Sequence, residues 1–210
     1  LRYLDRFGLV DDALTAVHCV HMERADLDLL QERGVIPIHS PKSNMKLGSG
    51  VSPVAEMLRR GIPVALGNDG SASNDLLDMF EEMRFAALLQ KVAAEDPSAV
   101  SAADVFRMAT ENGAKACRID AGTIDPGRLA DLVVINLRKP HLVPVHDIVN
   151  SLVYCAKGED VEATIINGEV VMRDRELVTM DEEWILEQAQ EWGSNLRQRS
   201  LQSDLFPTQA

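Results

Sequence analysis

The chain has 210 residues, of which 46% are hydrophobic and 26% charged, and its formal net charge is −12 at pH 7. This composition indicates a folded globular protein of one or two domains. The acidic charge argues against a nucleic-acid-binding surface, and no apolar run reaches the ~18 residues of a membrane span. The cysteines, Cys19, Cys117 and Cys155, are odd in number and lack C-x-x-C spacing. Such cysteines are typical of a reducing compartment, so we expect a cytoplasmic protein.

The first half of the chain alternates predicted strands with predicted helices. Apolar runs that indicate buried strands lie at 14–19, 35–39 and 62–66, and helical patterns lie at 1–7, 23–33, 53–60 and 75–94. Strands and helices in this order predict a parallel sheet covered by helices, which is an α/β fold. A capping box of Ser101 and Asp104 begins a further helix that we expect to end near Cys117.

From Gly122 onward the pattern changes to short β-rich runs, at 132–135, 151–156, 163–166 and 170–172. Asn167-Gly168 lies between two alternating apolar segments, which is a strong hairpin signal. A second capping box, Thr179 with Glu182, predicts a last helix. We therefore expect an α/β layer over 1–120, a small β subdomain over 121–180, and a C-terminal helix with a polar tail over 181–210.

A titratable residue lies at the end of each of the first three predicted strands: His18, His39 and Asp69. The carboxyl ends of parallel strands meet at one edge of a sheet, so these side chains are expected to share a pocket. Asp69 suits a metal ligand that also accepts a proton, although an Asx turn or a helix N-cap explains it equally well. A lone strand-end histidine such as His18 is more often a hydrogen-bonded core residue, and the shared edge favours catalysis.

The remaining polar candidates carry weaker signals. The segment after His39, which includes Ser43 and Asn44, is predicted to be a loop that shapes the pocket. Glu81 and Glu82 are predicted to lie on a solvated helix face. His141 and His146 are expected to be structural. The sequence lacks a phosphate-binding glycine loop, a G-x-S-x-G elbow and the H-E-x-x-H metal motif.

Five segments of the chain resemble the amidohydrolase superfamily, in its chlorohydrolase and aminohydrolase branch. They are AVHCVHM, HSPKSNMKLGSG, ALGNDGSASNDLLDMFEEMRFAALLQK, AGTIDPGRLADLVVIN and ATIINGEVVM. The combination of SNMKLGSGVSPVAEML with DMFEEMR is most similar to 5-methylthioadenosine/S-adenosylhomocysteine deaminases. The chain begins at Leu1, and we expect it to be the downstream part of a longer protein.

The resemblance implies the C-terminal part of a (β/α)8 barrel and a small β-sandwich subdomain. Residues 1–120 would then be a partial TIM-like barrel with its last three strand–helix units, and residues 121–180 the sandwich. A full barrel takes ~250 residues, so about half of it would lie outside this chain. The resemblance also implies a small-molecule substrate and a homo-oligomer, and the open edge of a partial barrel favours self-association.

The same resemblance implies roles for single residues. Asp69 matches the family's strand-eight aspartate, which binds the metal and accepts a proton, and His18 matches the strand-six histidine, which orients the attacking water. His39, Ser43 and Asn44 would border the substrate. The implied cofactor is one divalent metal, zinc or alternatively iron. The implied reaction is hydrolytic deamination of an aminopurine-type substrate.

Two family motifs have no counterpart in this chain: the H-x-H pair of strand one and the H-x-x-E of strand five. Most metal ligands and the proton-shuttling glutamate would therefore lie elsewhere, and we expect these 210 residues alone to be inactive. Asn68 stands where threonine is usual in the family. Two alternatives stay open: another branch, such as guanine or 8-oxoguanine deaminases or triazine chlorohydrolases, and a non-catalytic half-barrel that acts as a structural module.

Overall fold

The structure, a computed structural model, describes the backbone of residues 1–202 and the side chains of residues 1–199. Its first sheet has three parallel strands in the order β1-β2-β3: β1 (Thr15–Val17), β2 (Ile36–His39) and β3 (Ala65–Leu66). The predicted parallel α/β layer is confirmed. Within the described residues this sheet is not closed into a barrel.

Eight helices accompany this sheet. They are α1 (Arg2–Asp5), α2 (Arg24–Arg33), α3 (Pro41–Lys46), α4 (Val54–Arg59), α5 (Ser71–Asn74), α6 (Met79–Ala94), α7 (Ala102–Ala109) and α8 (Glu111–Cys117). The core between helices and sheet includes Leu30, Val35, Met57, Val64 and Met108, all of them buried. The longer helices α2, α6 and α7 bury apolar side chains in this core, and burying that face stabilises the layer.

Three predicted boundaries in this half were wrong. The segment after His39 is not a loop but helix α3, which Pro41 can begin because its first-turn position needs no N–H donor. The helix predicted over 75–94 begins only at Met79, where the Asp78 carboxylate accepts the N–H of Phe80. The helix after Ser101 is broken at Thr110, whose φ of −120° and ψ of −91° are not helical.

The second sheet is antiparallel, in the order β4-β5-β6-β7: β4 (Leu132–Ile135), β5 (Val161–Ile166), β6 (Glu169–Arg173) and β7 (Glu176–Leu177). The predicted hairpin is confirmed: Asn167 and Gly168 join β5 to β6 with φ of +51° and +82°. Both positive φ values fit a type I′ turn. Among the described residues, the antiparallel strands form this single four-stranded sheet, and the second sheet that a β-sandwich requires is not among them.

Two further predictions in this half were wrong. The run at 151–156 is not a strand: its first four residues end helix α9 (Ile148–Tyr154), which the Asp147 side chain caps by accepting the N–H of Asn150. This helix packs against α6 and α7, which is why its apolar residues are buried. The predicted last helix is confirmed as α10 (Glu182–Gln202), but its predicted cap is wrong: the Asp181 carboxylate, not Thr179, accepts the N–H of Trp184. Between residues 1 and 202, every helix is too short or too polar to cross a bilayer.

Candidate active site

The three candidate residues lie together at the carboxyl edge of the parallel sheet. His18 directly follows β1, His39 is the last residue of β2, and Asp69 lies shortly after β3. His18 and Asp69 both have left-handed backbones, with φ of +69° and +64°. This conformation is uncommon for residues other than glycine and often marks a functional position. It turns the chain sharply away from the strand at the point where each side chain is presented.

Asp69 is held as an ionised carboxylate. Its Oδ2 accepts a 2.6 Å hydrogen bond from Ser43 Oγ, and its Oδ1 accepts a 2.8 Å bond from the N–H of Gly70. The Ser43 bond, followed by the Gly70 and Ser73 bonds, lowers the pKa of Asp69 below its usual value. A carboxylate in this state can bind a cation or accept a proton at neutral pH.

His18 is oriented by a hydrogen bond to helix α3. Its Nδ1 lies 2.9 Å from Oδ1 of Asn44. An amide oxygen only accepts hydrogen bonds, so Nδ1 is the donor in this contact. Nε2 lies 3.9 Å from Oδ2 of Asp69, which is too far for a direct hydrogen bond. The imidazole and the carboxylate thus face a common space.

The three predicted substrate-binding residues are all buried. His39 is 1% exposed, and neither of its ring nitrogens has a hydrogen-bond partner among the described residues. Burial, and secondarily the nearby His18, lowers the pKa of His39 to about 4, so the ring is neutral. Ser43 and Asn44 lie on α3 and contact Asp69 and His18. A direct contact of these three residues with substrate stays a prediction.

Two buried residues near the site, Asn74 and Glu82, were not predicted from the sequence. Glu82 was predicted to be on a solvated face, which was wrong: it is fully buried and accepts a hydrogen bond from Nδ2 of Asn74. The same Nδ2 donates to the carbonyl of Asn68, next to Asp69. The helical spacing of the apolar residues in α6 would have predicted that Glu82 is buried. Glu82 is three residues after Met79 and four before the buried Ala86, so it shares their inward face.

The donors present fit part of a zinc site. Asp69 offers a carboxylate oxygen and His18 an imidazole nitrogen, both of which are ordinary zinc ligands. Within the described residues, no group of three or more His, Cys, Asp or Glu side chains is placed to hold a metal ion. A catalytic zinc normally has three protein ligands, so these side chains alone do not complete such a site.

A family model and the related sequences agree with this geometry. Residues 1–171 match the model of the amidohydrolase family. The chain belongs to the amidohydrolase family. This amidohydrolase is 51% identical over 190 residues to a 5′-deoxyadenosine deaminase of Methanothermobacter thermautotrophicus. It is 48% identical over 200 residues to a 5-methylthioadenosine/S-adenosylhomocysteine deaminase of Haloarcula marismortui. The matches cover 90% and 95% of this chain but only 44% and 46% of those relatives.

Solved structures resemble the amidohydrolase chain over the same extent. An adenosine deaminase from Xanthomonas campestris with bound zinc has a TM-score of 0.92 at 40% identity, covering 94% of this chain and 45% of that one. An atrazine chlorohydrolase from Arthrobacter aurescens with zinc has a TM-score of 0.85 at 30% identity, covering 90% and 43%. The chain therefore spans somewhat less than half the length of the proteins it matches, and both of these carry zinc.

Proposed function

We propose that this chain is the C-terminal part of a metal-dependent hydrolytic deaminase that acts on an aminopurine nucleoside of the 5-methylthioadenosine/S-adenosylhomocysteine type. The observation that carries the proposal is the ionised Asp69 carboxylate 3.9 Å from His18 Nε2 at the carboxyl edge of the parallel sheet. The two relatives named as deaminases, at 51% and 48% identity, support the substrate class.

The proposed reaction replaces an amino group by a carbonyl oxygen. Water adds to the ring carbon that bears the amino group, the carbon–nitrogen bond breaks, and ammonia leaves. Asp69 accepts a proton from the attacking water, because its carboxylate is ionised and its position is exposed. His18 accepts a hydrogen bond from the same water at Nε2, because Nδ1 is engaged by Asn44. His39, Ser43 and Asn44 would form the wall of the substrate pocket.

The proposed cofactor is one divalent metal, zinc rather than iron, with Asp69 among its ligands. A bound zinc ion supplies a water molecule whose pKa is lowered toward ~7. Asp69 is suited to this role because Ser43 and Gly70 orient both carboxylate oxygens. The other ligands would come from outside this chain, which is why the 210 residues alone are expected to be inactive.

The proposed architecture follows the same comparison. Residues 1–120 would be the last three strand–helix units of a (β/α)8 barrel, residues 121–180 a contribution to a β-sandwich subdomain, and residues 181–210 a C-terminal helix and tail. We further propose a cytoplasmic homo-oligomer without nucleic-acid or membrane partners. Its three cysteines are free thiols, which is consistent with a reducing compartment.

The test uses the full-length protein that contains this chain. Ammonia release is measured with 5-methylthioadenosine, S-adenosylhomocysteine, 5′-deoxyadenosine and adenosine, and with guanine and 8-oxoguanine. Chloride release is measured with atrazine. Chelation is expected to abolish activity and zinc to restore it. Asp69→Asn is expected to lower kcat at least ~100-fold. Asparagine tolerates the left-handed backbone, so this variant removes the charge with little strain. Asp96→Asn, beyond the far end of α6, is the matched control.

The outcomes separate the alternatives. Activity confined to guanine or 8-oxoguanine, or to atrazine, would place the protein in another branch of the family. The atrazine outcome is tested because the chain is 30% identical to the chlorohydrolase. Inactivity with every substrate after zinc loading would favour a structural module and contradict the proposal. Unchanged activity in Asp69→Asn would refute the role of that carboxylate.

A further inference from the structure

Glu82 is an ionisable residue whose burial is unfavourable in free energy, because it removes a carboxyl group from water. It lies in the first turn of α6, and its side chain is 0% exposed. Burial raises the pKa of Glu82, while hydrogen bonds from Asn74 and Lys42 oppose that rise. A buried carboxyl group persists only where its hydrogen bonds are satisfied, and an apolar side chain would fill the same space without that requirement. The partners of Glu82 therefore indicate what it does.

One carboxylate oxygen of Glu82 is linked to the strand end that carries Asp69. Its Oε1 accepts a hydrogen bond from Nδ2 of Asn74, which is also 0% exposed. The second hydrogen of that Nδ2 goes to the carbonyl of Asn68. This carbonyl belongs to the peptide bond that joins Asn68 to Asp69, so the contact fixes the peptide plane from which the left-handed φ of +64° at Asp69 is measured.

The other oxygen of Glu82 is linked to helix α3. Its Oε2 accepts the backbone N–H of Lys42 at 3.4 Å. Lys42 lies in the first turn of α3, directly before Ser43 and Asn44, whose side chains hold Asp69 and His18. The Nζ of Lys42 pairs with Glu81, so the same turn of α6 binds α3 twice.

We propose that Glu82 is a positioning residue that holds the Asp69 backbone and the Ser43 side chain in a fixed relative position. One carboxylate oxygen of Glu82 acts on Asp69 through Asn74, and the other acts on Ser43 through the first turn of α3. The proposal deepens the proposed function and rests on it for its catalytic consequence. The hydrogen bonds of Glu82 go to Asn74 and Lys42 and not to Asp69 itself. Its effect is to keep the carboxylate of Asp69 and the hydroxyl that orients it at a constant separation.

The chemistry of Glu82→Gln makes the proposal testable. Both partners of Glu82 are donors, namely Asn74 Nδ2 and the Lys42 N–H. A glutamine offers one acceptor and one donor, so one of the two links must be lost. A flip of the Asn74 amide would restore the contact between residues 74 and 82. It would also turn the Asn74 oxygen toward the Asn68 carbonyl and break that link instead.

A double variant separates positioning from packing. In Asn74→Asp/Glu82→Gln, the glutamine amide donates to the new aspartate and its oxygen still accepts the Lys42 N–H. The contact between α5 and α6 is thereby restored. The donor to the Asn68 carbonyl stays absent. If Glu82 acts only through the contact between α5 and α6, the double variant regains wild-type exchange and kcat. If it positions Asp69 through Asn74, neither the exchange of peptide 67–75 nor kcat returns to the wild-type value.

The first measurement is hydrogen exchange on the full-length protein freed of metal, followed by mass spectrometry. In Glu82→Gln, we expect exchange to be at least ~10-fold faster in peptides covering 67–75 or 41–47, with the core helices unchanged. In the double variant, peptide 67–75 should stay fast. Asp160→Asn is the control: it alters a carboxylate that is 2% exposed, in the segment before β5 and away from Asp69. It should leave both peptides as in the wild type.

The second measurement is kinetic and uses zinc-loaded protein. Glu82→Gln and the double variant are expected to lose ~10–100-fold in kcat or in zinc affinity, with KM changed less than kcat. Wild-type exchange in both peptides of Glu82→Gln, or a double variant that regains wild-type exchange and kcat, would overturn the inference. If Glu82→Gln does not fold, the hydrogen exchange and kcat of the double variant alone test the inference.

The two measurements also distinguish the inference from the proposed function. If the wild-type protein deaminates none of the substrates, the proposed function fails, while local exchange in Glu82→Gln still decides whether Glu82 holds Asp69. If the wild type is active and Glu82→Gln shows wild-type exchange and kcat, the function stands and the positioning role falls.

Discussion

Ser43 Oγ donates a 2.6 Å hydrogen bond to Oδ2 of Asp69, joining the helix after β2 to the loop after β3. The two residues are 26 positions apart, and only the parallel pairing of the strands brings them together. This bond is the largest cause of the low pKa of Asp69. It therefore both orients the carboxylate and keeps it charged.

Replacing Ser43 by alanine is expected to weaken zinc binding. Without the Ser43 hydroxyl, the Asp69 carboxylate rotates more freely, and loss of such a supporting bond typically costs ~10–100-fold in metal affinity or activity. Zinc affinity of the full-length protein is measured by competition with a chelator. Ser49→Ala, just beyond α3, serves as the control with the same chemical change. Equal zinc affinity in both variants would mean that Ser43 does not orient the ligand.

Asp160 is expected to make stability depend on pH. Burial opposes its ionisation, but hydrogen bonds from His141 and the N–H of Lys157 lower its pKa below the usual range. A carboxyl group with a folded pKa below its unfolded value of ~3.9 stabilises the fold above that value. This contribution is lost as the pH falls through the folded pKa.

Asp160→Asn should therefore lose ~2 kcal/mol of unfolding free energy at neutral pH, where the wild type has its charged hydrogen bonds. The difference between wild type and variant should shrink below about pH 4. Thermal unfolding of the full-length protein from about pH 3 to about pH 7 measures it. A difference that stays constant across that range would contradict the assignment.

Cys19 is expected to resist alkylation. Burial raises the pKa of its thiol to about 11, so only a small fraction is thiolate near neutral pH. Cys117 and Cys155 are exposed. Iodoacetamide applied to the native protein at about pH 8, followed by peptide mass spectrometry, should label Cys19 at least ~100-fold more slowly than an ordinary thiol with a pKa of ~8.5. Labelling of Cys19 at the rate of Cys117 would show that this thiol is not buried in solution.

Gly168 is expected to be needed for the β5–β6 turn. Its φ is +82°, and its N–H donates to the carbonyl of Ala130. Alanine at a positive φ is strained, so Gly168→Ala should cost ~1 kcal/mol. Gly193→Ala in helix α10 is the opposite control, because no atom lies within 4 Å of the added Cβ and alanine favours helices. The melting temperature should fall in the first variant and not in the second. A fall in both would contradict the turn assignment.

Local patterns predicted much of the fold. The strands β1 to β3 followed from short apolar runs, and the β5–β6 hairpin from Asn167-Gly168, because strand and turn preferences act over a few neighbouring residues. The Ser101 and Asp104 capping box is confirmed by both of its hydrogen bonds. Helix α9 was missed because its apolar run also suits a strand. The decisive signal was the N-cap Asp147, whose bond to Asn150 favours the helix.

The candidate site was predictable only in part. The edge on which His18, His39 and Asp69 meet follows from the parallel order of the strands. The burial of His39 and the inward position of Glu82 depend on how α3 and α6 pack. Sequence reasoning placed Glu82 on the surface because a charged residue is exposed in most helices. Its two donors are the side chain of Asn74, eight residues earlier and outside helix α6, and the backbone N–H of Lys42, 40 residues earlier.

The sequence alone determined the α/β order, the acidic character, and the positions of Asp69 and His18 at strand ends, since these depend on composition and on neighbours along the chain. The tertiary structure decided which side chains hold them. Ser43, Asn44, Asn74 and Glu82 act through hydrogen bonds between elements that only the packed sheet and helices bring within reach. Such bonds need distances and directions, which no local pattern of residues specifies.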